Sequence, residues 1–278
     1  MNMRMKNRAS KLIIYILLIG GSLVFMIPFV WMLSTSLKES QDLFALPPIW
    51  IPERLIWQNY IDAVTTFPFV RYTLNTAFIT VMNVIGGVLS SSLIAYAFAK
   101  LQWPGKNIWF MLLISTMMLP GQVTMIPLFI LYRELGWINT HLPLIVPAFF
   151  GSAFYIFLIR QFFMTIPKDL SEAAKIDGSS ELGIYWHIYM PLSKPVLATV
   201  AIFIFLFAWN DFIGPLIYLH ESDLWTLSLG LRGFQQQFGT RWNVMMAASI
   251  IAMLPNIFLF FGFQKHFIQG VAVGGIKG

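Results

Sequence analysis

The chain has no cysteine, which removes disulfides, thiol chemistry and cysteine-based zinc or iron–sulfur sites. Charge is scarce as well: 11% of its 278 residues are Asp, Glu, Lys or Arg, against roughly 25% in a soluble domain. A soluble protein of this length could bury a sizeable core, but it could not leave its outer surface so poor in charge. A bilayer is the solvent that tolerates such a surface. Phosphate-binding glycines are missing too. A P-loop needs G-x-x-x-x-G-K-[ST], so that backbone amides and a lysine hold phosphates. The nearest imitation, Gly178 to Gly183, is followed by Ile184 and Tyr185. His141, His187, His220 and His266 are scattered without ligand spacing, which argues against a metal site. No Ser/His/Asp set can be assembled at one membrane depth.

What is present is apolar. Hydrophobic residues make up 58% and aromatic residues 16%, and the mean hydropathy is +0.72. No Asp, Glu, Lys or Arg occurs in residues 12–37, 72–99, 107–132, 135–159 or 242–264, and a shorter gap covers 195–210. A spanning helix needs roughly 20 apolar residues. The gaps predict an all-α membrane protein of six spans near 12–33, 72–99, 108–131, 142–163, 194–214 and 243–263. Pro120-Gly121 and Pro127 are expected to break the third. The net charge of +6 comes with no basic patch on a soluble fold, so nucleic acid is not an expected partner.

Orientation follows from Lys and Arg. One face collects Arg4, Lys6, Arg8, Lys11, Lys100, Lys106, Arg160, Lys168, Lys175, Lys194, Lys265 and Lys277, twelve residues. The other collects six: Lys38, Arg54, Arg71, Arg133, Arg232 and Arg241. The first set is expected in the cytoplasm. That gives a cytoplasmic segment 1–11, a transmembrane domain 12–263 and a cytoplasmic tail 264–278. The basic start and apolar run imitate a signal peptide. However, the run exceeds twenty residues, contains Pro28 and lacks a small-x-small cleavage site, so it is expected to stay as the first span.

One polar island, 164–193, interrupts this pattern on the cytoplasmic side. It reads MTIPKDLSEAAKIDGSSELGIYWHIYMPLS. Asp169 and Glu172 have capping-box spacing, with Asp169 as N-cap, ahead of a helix over 170–177. Gly178 then supplies a left-handed stop. A second helix is expected from Ser180-Glu181, with Ile184, Tyr185, Ile188 and Tyr189 at helical spacing and Pro191 closing it. An amphipathic loop on the bilayer surface would satisfy the same pattern. A docking surface fits it better, because Ala173 and Ala174 permit close approach and Glu172 offers a charged anchor.

These residues resemble the EAA loop of ABC-importer permeases, whose pattern is E-A-A, three residues, G, and later I-x-x-P. Glu172, Ala173, Ala174, Gly178, Ile188 and Pro191 occupy all of those positions. STMMLPGQVTMIPLF, AWNDFIGPLIYL and FQKHFIQGVAVGGIKG narrow the likeness to the carbohydrate branch, and within it to the second, maltose-permease G-like, of two paired subunits. The likeness runs from residue 12 onward. It implies a subunit of a carbohydrate importer, with an oligosaccharide the expected substrate. It also implies three kinds of partner in a bacterial or archaeal cytoplasmic membrane: a related permease, two copies of a cytoplasmic ATPase, and an extracytoplasmic solute-binding protein. ATP and magnesium would be used by the ATPase, and no cofactor is expected on this chain. The six motif residues would couple it to that ATPase.

Polar groups inside spans are costly and mark transport paths, and sugar faces stack on aromatic rings. Candidates for the substrate path are Asn83, Phe150, Ser152, Phe154, Tyr155, Asn210 and Asp211, with Phe149 beside them. Ser90, Ser91 and Ser92 suit helix packing better, since small polar residues let spans approach. Segments 34–71 and 215–241, the latter with RGFQQQFGTRWN, are expected to meet the solute-binding protein. The rival class is a self-contained secondary transporter or channel. Such proteins show internal repeats and buried ionisable relays, and neither is evident here.

Overall fold

A computed structural model describes residues 3–236 and 241–275, with side chains described for 11, 13–233 and 241–263. Along the chain run α1 (Met3–Ser36), α2 (Gln58–Thr65), α3 (Phe69–Lys100), α4 (Lys106–Ser115), α5 (Gly121–Glu134), α6 (Leu142–Ile145) and α7 (Ala153–Thr165). Then come α8 (Asp169–Ile176), α9 (Glu181–Ile184), α10 (Met190–Leu192), α11 (Lys194–Trp209), α12 (Ile213–Tyr218), α13 (Leu227–Gln236) and α14 (Trp242–Gly275). No strand occurs among the described residues.

Among the described residues, four helical stretches are long and apolar enough to cross a membrane: Ile13–Ser36, Phe69–Lys100, Leu142–Thr165 and Trp242–Phe263. The number rises to six when each of two bent helix pairs is counted as one span. The first pair, α4 with α5, turns by 99°. Its break falls at Pro120, before which Leu119 is extended (φ −80°, ψ 116°), the conformation that a following proline imposes. The expected second break is corrected: Pro127 lies inside α5 without ending it, as spanning helices tolerate proline where neighbours re-satisfy the backbone.

The fourth span is also segmented. A 3-10 turn, Val146–Phe150, follows α6, and Gly151 (φ 80°) separates it from α7. The fifth helix ends at Trp209, not 214, and α12 is a separate piece. Sixteen residues rise only about 24 Å, so α11 crosses a hydrocarbon core of roughly 30 Å only together with the segments flanking it.

The chain divides into two units, one comprising Met1–Phe69 with Leu231–Leu254, the other Val70–Gly230 with Pro255–Gly278. In the first unit α1 exposes apolar side chains between Ile13 and Leu33, among them Leu17, Val24 and Phe25. Beyond α1 the chain is tied down by amides. Asn59 Nδ2 donates to the carbonyls of Ser36 and Lys38, each at 2.9 Å. Asn243 Nδ2 donates to Lys38 O at 3.2 Å and to Asn59 Oδ1 at 3.1 Å. Lys38 is buried, with its ammonium 4.1 Å from the Trp31 ring centroid, where a cation is favoured over an aromatic face.

The second unit holds a core in which α3, α7, α9 and α11 meet. Ala95, Tyr96, Ile156, Ile159, Phe163, Ile184, Tyr185, Tyr189, Val200 and Ile204 are among its buried members. Lipid is as apolar as these side chains, so close packing and interhelical hydrogen bonds, rather than escape from water, hold the spans together. Small residues on α3 make that packing possible. A Cβ on Gly86 would lie 2.6 Å from the Phe149 ring, and one on Gly87 would lie 2.7 Å from Ile204.

Candidate functional site

The island 164–193 is two-faced. Its inner face belongs to the core just described: Ile184, Tyr185 and Tyr189 are buried, and Ala174 and Ile188 pack against them. Polar bonds pin this face to α3. The Tyr96 hydroxyl donates to Glu181 Oε2 at 2.7 Å, and the Ser92 and Tyr185 hydroxyls are 2.7 Å apart. Glu181 Oε1 pairs with Lys175 Nζ at 2.6 Å, which joins α9 back to α8. The outer face is different. Ile176 is 87% exposed, and Leu182 and Trp186 are exposed too. Glu172, Ala173, Gly178 and Pro191 are exposed as well.

Local chemistry sets this shape. Gly178 has φ 81° and closes α8, its N–H donating to Lys175 O at 3.0 Å while Ser179 N–H donates to Ala174 O at 2.9 Å. These are the bonds of a Schellman cap, with glycine in the left-handed position. No atom lies within 4 Å of a Cβ placed on Gly178, so the demand for glycine comes from backbone conformation and not from crowding. Ser180 caps α9 by accepting from Gly183 N–H at 3.2 Å.

The expected capping box at Asp169 is corrected. The N–H groups of Ser171 and Glu172 already bond to Lys168 O, at 2.9 and 3.0 Å, so the helix starts one residue earlier and Lys168 is the cap position. Asp169 and Glu172 instead sit in the first turn, where negative charge suits the helix dipole, and Lys175 in the last. Pro191 does not close the second helix either. The chain widens into a π turn at Tyr185–Tyr189, continues through α10, and turns by 81° at Ser193 into α11. A π turn displaces the hydrogen-bond ladder just before a proline that cannot donate to it.

The expected path residues divide by what their polar atoms do. Both amide hydrogens of Asn83 are committed, to Ile79 O and Leu144 O at 2.8 Å each, so Asn83 clamps α6 to α3. Ser90 Oγ donates to Ala148 O at 2.9 Å, and Ser91 Oγ accepts from Ser152 N–H at 3.3 Å. Asp211 Oδ1 accepts from Gly214 N–H at 3.1 Å at the start of α12. Asn210 Nδ2 donates to Leu206 O at 2.7 Å, and its Oδ1 accepts from Asn256 at 3.1 Å. Phe149, Phe150, Ser152 and Phe154 are exposed around the Gly151 break, with Phe150 76% exposed. Tyr155 is half-buried beside Phe154, its ring centroid 5.6 Å away.

Sequence reasoning missed Ile176, Leu182 and Trp186, whose pattern reads as ordinary helix core. It also missed the Tyr96–Glu181 bond, for which no local pattern exists. Within RGFQQQFGTRWN, residues 237–240 lie outside the described residues.

Residues 87–273 match the family described as "Binding-protein-dependent transport system inner membrane component". The arabinooligosaccharides transport system permease protein AraQ of Halalkalibacterium halodurans is 33% identical over 99% of this chain and 100% of its own. The sn-glycerol-3-phosphate transport system permease protein UgpE of Yersinia pestis is 32% identical, over 95% of this chain and 97% of that one. A crystal structure of a bacterial ABC transporter involved in the import of the acidic polysaccharide alginate shares the fold. One of its chains aligns at a TM-score of 0.85, over 94% of this chain and 98% of that one, with 24% identity. The chain belongs to the inner-membrane components of binding-protein-dependent transport systems, the multi-pass permease subunits of ABC importers.

Proposed function

We propose that this permease forms half of the path by which an oligosaccharide enters the cell, beside a second, related permease. A solute-binding protein delivers the sugar from outside, and two copies of a cytoplasmic ATPase supply the energy by using ATP and magnesium. The chain contributes no ATPase site, in keeping with its lack of a P-loop. Residues 1–11 and 264–278 and the island 164–193 lie on the cytoplasmic side, as the excess of Lys and Arg there favours. The relative named for arabinooligosaccharides, alike from end to end, favours an oligosaccharide as cargo.

The observation that carries this reading is the island's division into a face bonded to the spans and a face turned outward. Glu172, Ala173, Gly178 and Pro191 accompany the exposed Ile176 on the outward side, where an ATPase groove would receive them. Ala174 and Ile188, half-buried on the inner face, pass a push inward to Tyr185 and Tyr189. Glu181 and Tyr96 then hand it to α3. For the path itself, Phe150, Ser152, Phe154 and Tyr155 offer ring faces and two hydroxyls near the Gly151 break. Asn83, Asn210 and Asp211 hold the surrounding backbone in place.

The test is reconstitution. The complete assembly in liposomes should take up a labelled oligosaccharide with ATP and binding protein present, and should continue when the proton gradient is collapsed. Liposomes with this chain alone should move nothing. Gradient-driven uptake by the lone chain would establish a self-contained transporter instead.

A further inference from the structure

In the second unit, the ends of three spanning segments surround one pocket: Lys100 closes α3, Lys106 opens α4, and Arg160 lies late in α7 with Lys168 just beyond it. The pocket holds about 640 Å³, well within the range of small-molecule sites. Four cations line it, and among the described residues none of them pairs with a carboxylate. Three are aimed by backbone carbonyls. Lys100 Nζ donates to Ile166 O at 2.7 Å, Lys106 Nζ to Leu101 O at 2.7 Å, and Arg160 Nε to Phe98 O at 3.3 Å. An ammonium has three donors and a guanidinium five, so each keeps N–H groups to offer a ligand. Four positive charges around one space repel each other, and an anion among them would remove that cost.

The second observation is an apolar groove of about 450 Å³ that shares Trp103 with this pocket. Phe98, Trp109, Leu112, Leu113 and Thr116 line the rest of it. Ile108 and Met111, on the same helix, are 60% and 65% exposed. A basic pocket at the ends of spans therefore continues into an apolar groove running along a span. Trp and the ends of spans lie at head-group depth, and basic pockets at that level take anionic lipid heads. A small soluble anion would use the first space and leave the second without purpose.

We propose that the two spaces together hold one anionic phospholipid, its phosphate among Lys100, Lys106, Arg160 and Lys168 and its acyl chains along Trp103 and α4. The site needs only a bilayer, and it stands whatever the cargo of the importer. A lipid there ties the start of α8, through Lys168, to the α3–α4 turn.

Native mass spectrometry of the full chain in mild detergent tests this, with phosphatidylglycerol, phosphatidylcholine of the same chains, and inorganic phosphate as probes. The wild type should retain phosphatidylglycerol at least about tenfold more tightly than phosphatidylcholine, and phosphate at equal concentration should not displace it. Lys106→Gln with Lys168→Gln should weaken that retention by about tenfold or more. Arg54→Gln, an exposed charge in the other unit, should leave it unchanged. Equal retention of the two lipids overturns the proposal, and that result needs no variant to fold. Displacement by phosphate would assign the pocket to a soluble anion, and unchanged binding in the double variant would place the lipid elsewhere.

Discussion

Tyr96 and Glu181 stand 85 positions apart in sequence, yet the hydroxyl of one donates to the carboxylate of the other at 2.7 Å. It is one of the polar links between a span and the loop that faces the ATPase in the proposed assembly. Hydrogen bonds to charged groups contribute about 1.5–3 kcal/mol. Tyr96→Phe should therefore lower thermal stability by an amount in that range while keeping the ring in the core. The ATPase should still co-purify, but transport-coupled ATP hydrolysis should fall. Wild-type uptake by Tyr96→Phe would show that force does not travel through this bond.

Ile176 is 87% exposed, and substitutions at such positions usually change stability by less than about 0.5 kcal/mol. Ile176→Glu should melt like the wild type and yet lose the ATPase on co-purification. Ser222→Ala serves as the control. If Ile176→Glu binds the ATPase as tightly as the control does, this face is no docking surface.

At Gly178 the expected cost depends on the side chain. A left-handed residue costs about 1–2 kcal/mol for most L-amino acids, and asparagine visits that region far more readily. Nothing crowds the position, so Gly178→Asn should keep assembly and uptake while Gly178→Val loses both. Equal behaviour of the two would mean that the turn is not what the ATPase requires.

The pair of Asp62 and Arg241, 2.5 Å apart, gives a pH signature. Hydrogen bonds from Gln58 and Arg241 hold the Asp62 carboxyl below its ordinary value. A depressed carboxyl contributes stability that is complete above its unfolded value, about 3.9, and is lost as pH falls through the lower folded value. Asp62→Asn should thus melt below the wild type at pH 7, and the two should converge once the pH has fallen below the lowered folded value. A gap that persists at the acid end would exclude ionisation as its cause.

Sidedness can be read with introduced cysteines, since the chain has none of its own. Glu53→Cys should react with an impermeant maleimide in intact cells, and Ser179→Cys only after the membrane is opened. Both positions are exposed. External labelling at position 179 would reverse the proposed orientation.

The sequence made visible those features that depend on near neighbours. Gaps between charges located the spans, because one ionised group in lipid is enough to mark a boundary. Gly178, Ser180 and Pro120 acted where the residues suggest, since each works on its own turn of backbone. Asp169 was misread by one position because Lys168 O was free to accept the first helical bonds. Pro127 was misread because the cost of a proline depends on what surrounds it in the bilayer. The π turn, the Tyr96–Glu181 bond and the outward Ile176 depend on which helix packs where, and that information is not periodic. Asn83 looked like a lining residue, and only the position of Leu144 O reveals it as a clamp.

The 81° elbow at Ser193 has a mechanical consequence. Beyond it α11 is a rigid rod of sixteen residues, about 24 Å long at the usual rise. Turning the rod about the elbow by about 10° would carry its far end, at Trp209, through roughly 4 Å. The residues beside the pivot would scarcely move. The joint thus acts as an amplifier, turning a small tilt near the loop into a displacement about as wide as a sugar ring is thick. Paired spin labels should record the larger distance change near Asn210 and the smaller one near Ser180.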